Sequence, residues 1–129
     1  MPVTYQLDPA SGVIETRCMG AVTFDEVMEH FRSLEDDPSL PRRLDVLLDL
    51  DKATSAPATG QLRDVAAALA RLRDKVEFRA CAIVASSDLL FGMSRMFEVF
   101  AEGLFKRTRV VRAREDAERW LALARATEG

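Results

Sequence analysis

Residues 44–50 read Leu-Asp-Val-Leu-Leu-Asp-Leu and are mostly apolar on both alternating faces. A strand of that composition has to be covered from two sides, which is the position of a central strand with helices packed over its sheet. The rest of the chain supplies neighbours and covers. Val3 to Asp8 and Val13 to Met19 carry β-branched and aromatic residues on either side of Asp8-Pro9-Ala10-Ser11-Gly12, and this punctuation predicts a hairpin. Thr23 and Glu26 have the spacing of a capping box, and Phe24, Val27, Met28, Phe31 and Leu34 then recur at the helical period until Asp36-Asp37-Pro38 ends the helix.

The alternation continues after the central strand. A loop of small residues is expected over Ala53 to Gly60, followed by a helix marked by Leu62, Val65, Ala66, Leu69, Leu72 and Val76. Arg79 to Ala85 reads as a buried strand, and Ser86-Ser87-Asp88 offers N-caps for a helix from about Leu89 to Phe105. Arg107 to Val111 is the last strand. Glu115 to Arg125 is the last helix, with acidic residues in its first turn and Ala117, Trp120, Leu121 and Ala124 facing inward. The fold class implied is α/β: a mixed, mostly parallel five-stranded sheet with four helices, whose N-terminal hairpin contributes an antiparallel edge strand. With 129 residues, 48% hydrophobic and 30% charged, the chain is expected to form one globular domain, residues 1–129.

Charge and apolar content exclude several functions. A net charge of -3 gives no cationic field for phosphate backbones, so nucleic acid is not an expected partner. The apolar runs fall far short of the roughly 20 residues of a transmembrane segment, and residues 1–8 lack a basic start and apolar core, so the expected location is cytoplasmic. Cys18 and Cys81 lie in strands without metal-ligand neighbours and read as buried thiols. No cofactor and no metal are expected.

Four stretches, taken together in their order and spacing, resemble the SpoIIAA-like group of the STAS and SEC14-type (CRAL-TRIO-like) superfamily. They are the hairpin leading through Gly20 to Thr23-Phe24-Asp25-Glu26, the strand Val46-Leu47-Leu48-Asp49, the segment Ala82-Ile83-Val84-Ala85 running on to Gly92-Met93-Ser94-Arg95, and Ala117-Glu118-Arg119-Trp120-Leu121. The resemblance implies a binding or regulatory module without catalytic chemistry, and, in the wider superfamily, carriage of lipids. It also implies a phosphorylatable serine after the central strand, usually within Asp-Ser-x-Gly. Here that region reads Asp51 to Gly60, is longer, and lacks the motif.

Three sets of residues are candidates for function. Ser55 and Thr59 are the phosphoacceptor candidates, because a phosphate near a helix N-terminus meets free amides; Thr59 also reads simply as a helix cap. Asp49, Asp51, Ser86 and Arg112 fall at the carboxyl ends of the parallel strands, where ligands of open α/β sheets settle. Phe91, Met93, Met96, Phe97 and Phe100 belong to a helix with more apolar residues than one buried stripe needs, which suits core packing, a homodimer surface or an apolar ligand pocket. His30 is the only histidine and has no nucleophile motif beside it; it reads as a partly exposed surface residue. The expected function is therefore non-enzymatic: contact with a regulatory protein partner, as a homodimer, or carriage of a small apolar ligand or lipid.

Overall fold

A computed structural model describes residues 2–128 of the chain. The hairpin forms from β1 (Val3–Asp8) and β2 (Val13–Ala21), antiparallel, with Gly12 at φ +72° in its turn. Only glycine adopts that conformation without strain. Next come α1 (Phe24–Glu35), β3 (Arg43–Ser55), α2 (Leu62–Arg71), β4 (Glu77–Val84), α3 (Asp88–Phe100), β5 (Arg107–Val111) and α4 (Arg114–Glu128). The sheet runs β1-β2-β3-β4-β5, and every pair after the hairpin is parallel. The expected α/β architecture and antiparallel edge strand are both present.

Strand order and crossover handedness together fix the layers. The order never reverses, so three right-handed crossovers place α1, α2 and α3 over one face of the sheet. That face presents Ile14, Leu44, Cys81, Ile83 and Val110 to a core completed by Leu34, Leu69, Leu72 and Phe105. The opposite face is left to α4. There Leu47, Ala80, Ala82 and Val84 meet Ala117, Leu121 and Ala124, and the small alanines on both surfaces let helix and sheet approach closely.

Residues 44–50 are not equally apolar on their two sides. Leu44, Val46, Leu48 and Leu50 join the three-helix core, whereas the α4 side carries Asp45, Leu47 and Asp49. Both aspartates are buried and used. Leu44 pairs with Phe78 and Val46 with Cys81, so β4 holds an extra residue opposite Asp45; the Asp45 carboxylate accepts the Ala80 N–H at 3.0 Å. Asp49 lies 3.2 Å from the Arg114 guanidinium, which also pairs with Glu15 and with Glu118 at 2.8 Å. This network pins the start of α4 to β2 and β3.

Two element ends differ from the sequence reading. β3 runs on to Ser55 because β2 extends to Ala21 and pairs with Lys52, Ala53 and Ser55, turning the first three residues of the expected loop into strand. The third helix stops at Phe100, not Phe105. Gly103 takes φ +89°, the chain turns, and Leu104 and Phe105 pack against the core from outside the helix. Apolar content alone could not separate helix from inward-turned loop here. α1 has the expected capping box: Thr23 Oγ1 accepts from Glu26 N at 3.2 Å, and Glu26 Oε1 accepts from Thr23 N at 2.9 Å.

Candidate functional site: an apolar cavity beneath three helices

Between the sheet and α1–α3 lies a cavity of about 160 Å³. Its floor is Thr16 and Cys18 of β2, Val46 and Leu48 of β3, and Cys81 and Ile83 of β4, residues that share one face because side chains alternate along a strand. α1 contributes His30 and Phe31, α2 Val65 and Leu69, and α3 Leu90, Met93, Ser94 and Phe97. Toward the carboxyl ends of β2 and β3 the wall passes to Ala53, Ser55, Ala56 and Pro57, all half-buried.

No Asp, Glu, Lys or Arg side chain lines this cavity among the described residues. Its titratable groups are held neutral. Burial pushes the Cys18 thiol up to about 11 and the Cys81 thiol up to about 12. Burial also pushes the His30 imidazole down to about 4, and its ring neighbours are Tyr5 at 5.4 Å and Phe31 at 5.7 Å. His30, expected to be partly exposed, is half-buried, and the α1 stripe that includes Val27, Phe31 and Leu34 turns its covered side onto the same apolar floor.

The surplus apolar residues of α3 divide by direction. Met93 and Phe97 point into the cavity. Phe91 lies under the Arg112 guanidinium, 4.2 Å from its ring centroid, and Phe100 under Arg63 at 5.3 Å. Met96 faces outward at 40% exposure, beside Leu89 and Val99 at 66% and 68%. Leu89, Met96 and Val99, spaced seven and three residues apart, form one outer stripe of the helix.

At the carboxyl edge of the sheet the structure brings together three of the four polar candidates. Ser86 Oγ donates to Asp51 Oδ1 at 2.7 Å, and Arg112 donates to the Ser86 carbonyl at 3.2 Å and to Asp88 Oδ1 at 2.6 Å. The Asp49 carboxylate accepts from Asp51 N at 2.9 Å through Oδ1 but is otherwise drawn into the α4 network described above through Oδ2. Asp51, Ser86, Asp88 and Arg112 are exposed and partner one another on an open edge. A strand-end crevice of the doubly wound kind needs a reversal of strand order, and this sheet has none. Among the described residues, no group of three or more His, Cys, Asp or Glu is placed to hold a metal ion.

The phosphoacceptor candidates are also apart. Ser55 ends β3, lines the cavity, and its carbonyl accepts from Val22 N at 3.3 Å. Thr59 is exposed and opens a short 3-10 turn (Thr59–Gln61) before α2; Gln61 occupies the cap position of that helix, so Thr59 is not its N-cap. A second, charged groove of about 500 Å³ runs between α4 and the hairpin, lined in part by Glu15, Arg114, Glu118 and Arg125. Arg114 pairs with both glutamates, so these groups satisfy each other.

No protein-family model and no curated protein sequence matches the chain. Comparison with solved structures finds an uncharacterized protein of the DUF3478 family with a SpoIIAA-like fold, from Shewanella loihica PV-4. The two superpose with a TM-score of 0.62 at 14% identity, over 92% of this chain and 91% of the other. At that identity the likeness establishes the fold: the chain adopts the SpoIIAA-like architecture. No helix among the described residues is long and apolar enough to cross a membrane.

Proposed function

We propose that the protein is a non-catalytic binding module whose ligand is a small apolar molecule held between the sheet and α1–α3. The observation that carries this reading is the cavity of about 160 Å³ with its uncharged wall. The space reaches from the core, where Leu, Val, Phe and Met line it, to the half-buried rim at Ser55–Pro57, and an apolar pocket open at one side is the form in which proteins hold small molecules. The polar side chains of the carboxyl edge support a non-catalytic role, because they are tied to each other in the open. Native mass spectrometry of the protein purified under mild conditions tests the reading. An apolar adduct of constant mass, released by organic solvent, is the expected result; protein that is always empty and also refuses added apolar compounds would sink it.

The outer stripe of α3 favours a second role on the same element. Leu89, Met96 and Val99 place three large apolar side chains in water along one line, the arrangement through which a helix meets a second copy of its own chain or a regulatory partner. We infer that a homodimer forms across this stripe.

A further inference from the structure

We propose that the cavity selects a neutral, one-ring aromatic molecule carrying a single hydroxyl or carbonyl group, and rejects carboxylates and long acyl chains; this rests on the reading that the cavity is the binding site. Size is the first argument. An apolar void of roughly 150 Å³ is known to stay dry and to accept benzene, so a cavity of about 160 Å³ suits a ligand of about six to eight non-hydrogen atoms. A long-chain fatty acid, with about twice that number or more, would have to leave most of its chain outside.

Charge is the second argument. With no Lys or Arg in the wall, a buried carboxylate would have no counter-ion, and with no Asp or Glu neither would an ammonium. The one imidazole present sits between the rings of Tyr5 and Phe31, with no carboxylate in the wall to favour its charged form. Shape and polarity supply the third. Phe31, Phe78, Phe97 and Phe105 offer ring edges and faces from several directions, and Met93 offers a thioether, contacts that favour an aromatic guest over an aliphatic one. Thr16 and Ser94 are the buried hydroxyls of the lining, one on the sheet side and one on the helix side, and either can meet a single polar group on the ligand.

Thermal unfolding of the purified full chain at neutral pH, with p-cresol, toluene, 4-methylbenzoate and oleate added in separate experiments, tests the proposal. At tenfold excess over its dissociation constant p-cresol should raise Tm by roughly 5 °C, whereas the two anions should leave it unmoved. Equal or stronger stabilisation by 4-methylbenzoate or oleate would overturn the selectivity and leave the binding role standing. If p-cresol, toluene and oleate all fail, the binding role falls as well. Ser94→Leu, which fills the space from the helix side, should abolish the p-cresol shift while leaving the far-ultraviolet circular dichroism unchanged. Should that variant not fold, Cys18→Leu fills it from the sheet side. A p-cresol shift retained in whichever folded variant is measured would place the ligand elsewhere and defeat the proposal.

Discussion

His30 is half-buried at the edge of the cavity wall, and that setting gives it a consequence for stability. In the unfolded chain it protonates near its ordinary 6.5, but burial among Tyr5, Phe31 and the cavity wall holds it down to about 4 when folded. Between those values the unfolded state binds the extra proton. The native state is therefore unpenalised above about pH 6.5, and loses stability as pH falls towards 4, by up to about 3 kcal/mol. Asp37, which is hydrogen-bonded to the Tyr5 neighbour of His30, titrates lower: hydrogen bonds from Ser39 and from Tyr5 hold it down to about 2. Urea midpoints measured from pH 7 to pH 5 should fall steadily for the natural chain and stay nearly level for His30→Phe. A natural chain equally stable at both ends of that range would show that the imidazole is in contact with water. Its partial exposure was legible from the polar flank beginning one residue away at Glu29, but only the third dimension shows that its covered side lines the cavity.

At the scale of elements, helix ends decide how firmly the cavity wall is held. Lys75, in the turn before β4, donates from its ammonium to the carbonyls of Leu34, Glu35 and Asp37 at 2.9, 2.8 and 2.5 Å. These are carbonyls at and just beyond the end of α1, which the helix itself cannot satisfy, and a cation there also meets the negative end of its dipole. Lys75→Met keeps the stem and removes the donors, so a loss of about 2 kcal/mol is expected from chemical denaturation. A loss below about 0.5 kcal/mol would mean that water replaces the ammonium without penalty. Long-range capping of this kind leaves no trace in sequence, since Lys75 follows Leu34 by some forty positions, whereas the local box of Thr23 and Glu26 was plain from spacing alone. The end of α3 was illegible for a related reason. Leu104 and Phe105 are as apolar as the helix they follow, and only Gly103 marks the turn between them.

For the molecule as a whole, alternating apolar runs and caps were enough to read the layer architecture, the number of strands and the antiparallel edge. The site was less legible. Its side chains come from every strand but β5 and from three helices, and a cavity is a property of how they fail to meet, which no spacing encodes. Asp45 and Asp49 were a missed clue: their alternation with Leu47 already marked the side of β3 that would carry one helix and a charge network. The outer stripe of α3 makes its own claim at this scale. Light scattering at micromolar concentration should give about twice the 14.4 kDa of one chain, and Met96→Glu should halve it. A natural chain that scatters as a monomer would remove the dimer. The unreversed strand order has one more outcome. Each added strand carries the chain farther from its beginning, so β1 and β5 end on opposite borders and nothing in the sheet itself joins them. α4 makes the return journey, its Arg114 reaching Glu15 and Asp49 and its Arg125 lying 3.8 Å from Asp45. The final segment is thus the clasp of the whole assembly: released, it would bare the strip of Leu47, Ala82 and Val84 and leave an open ribbon in search of another cover.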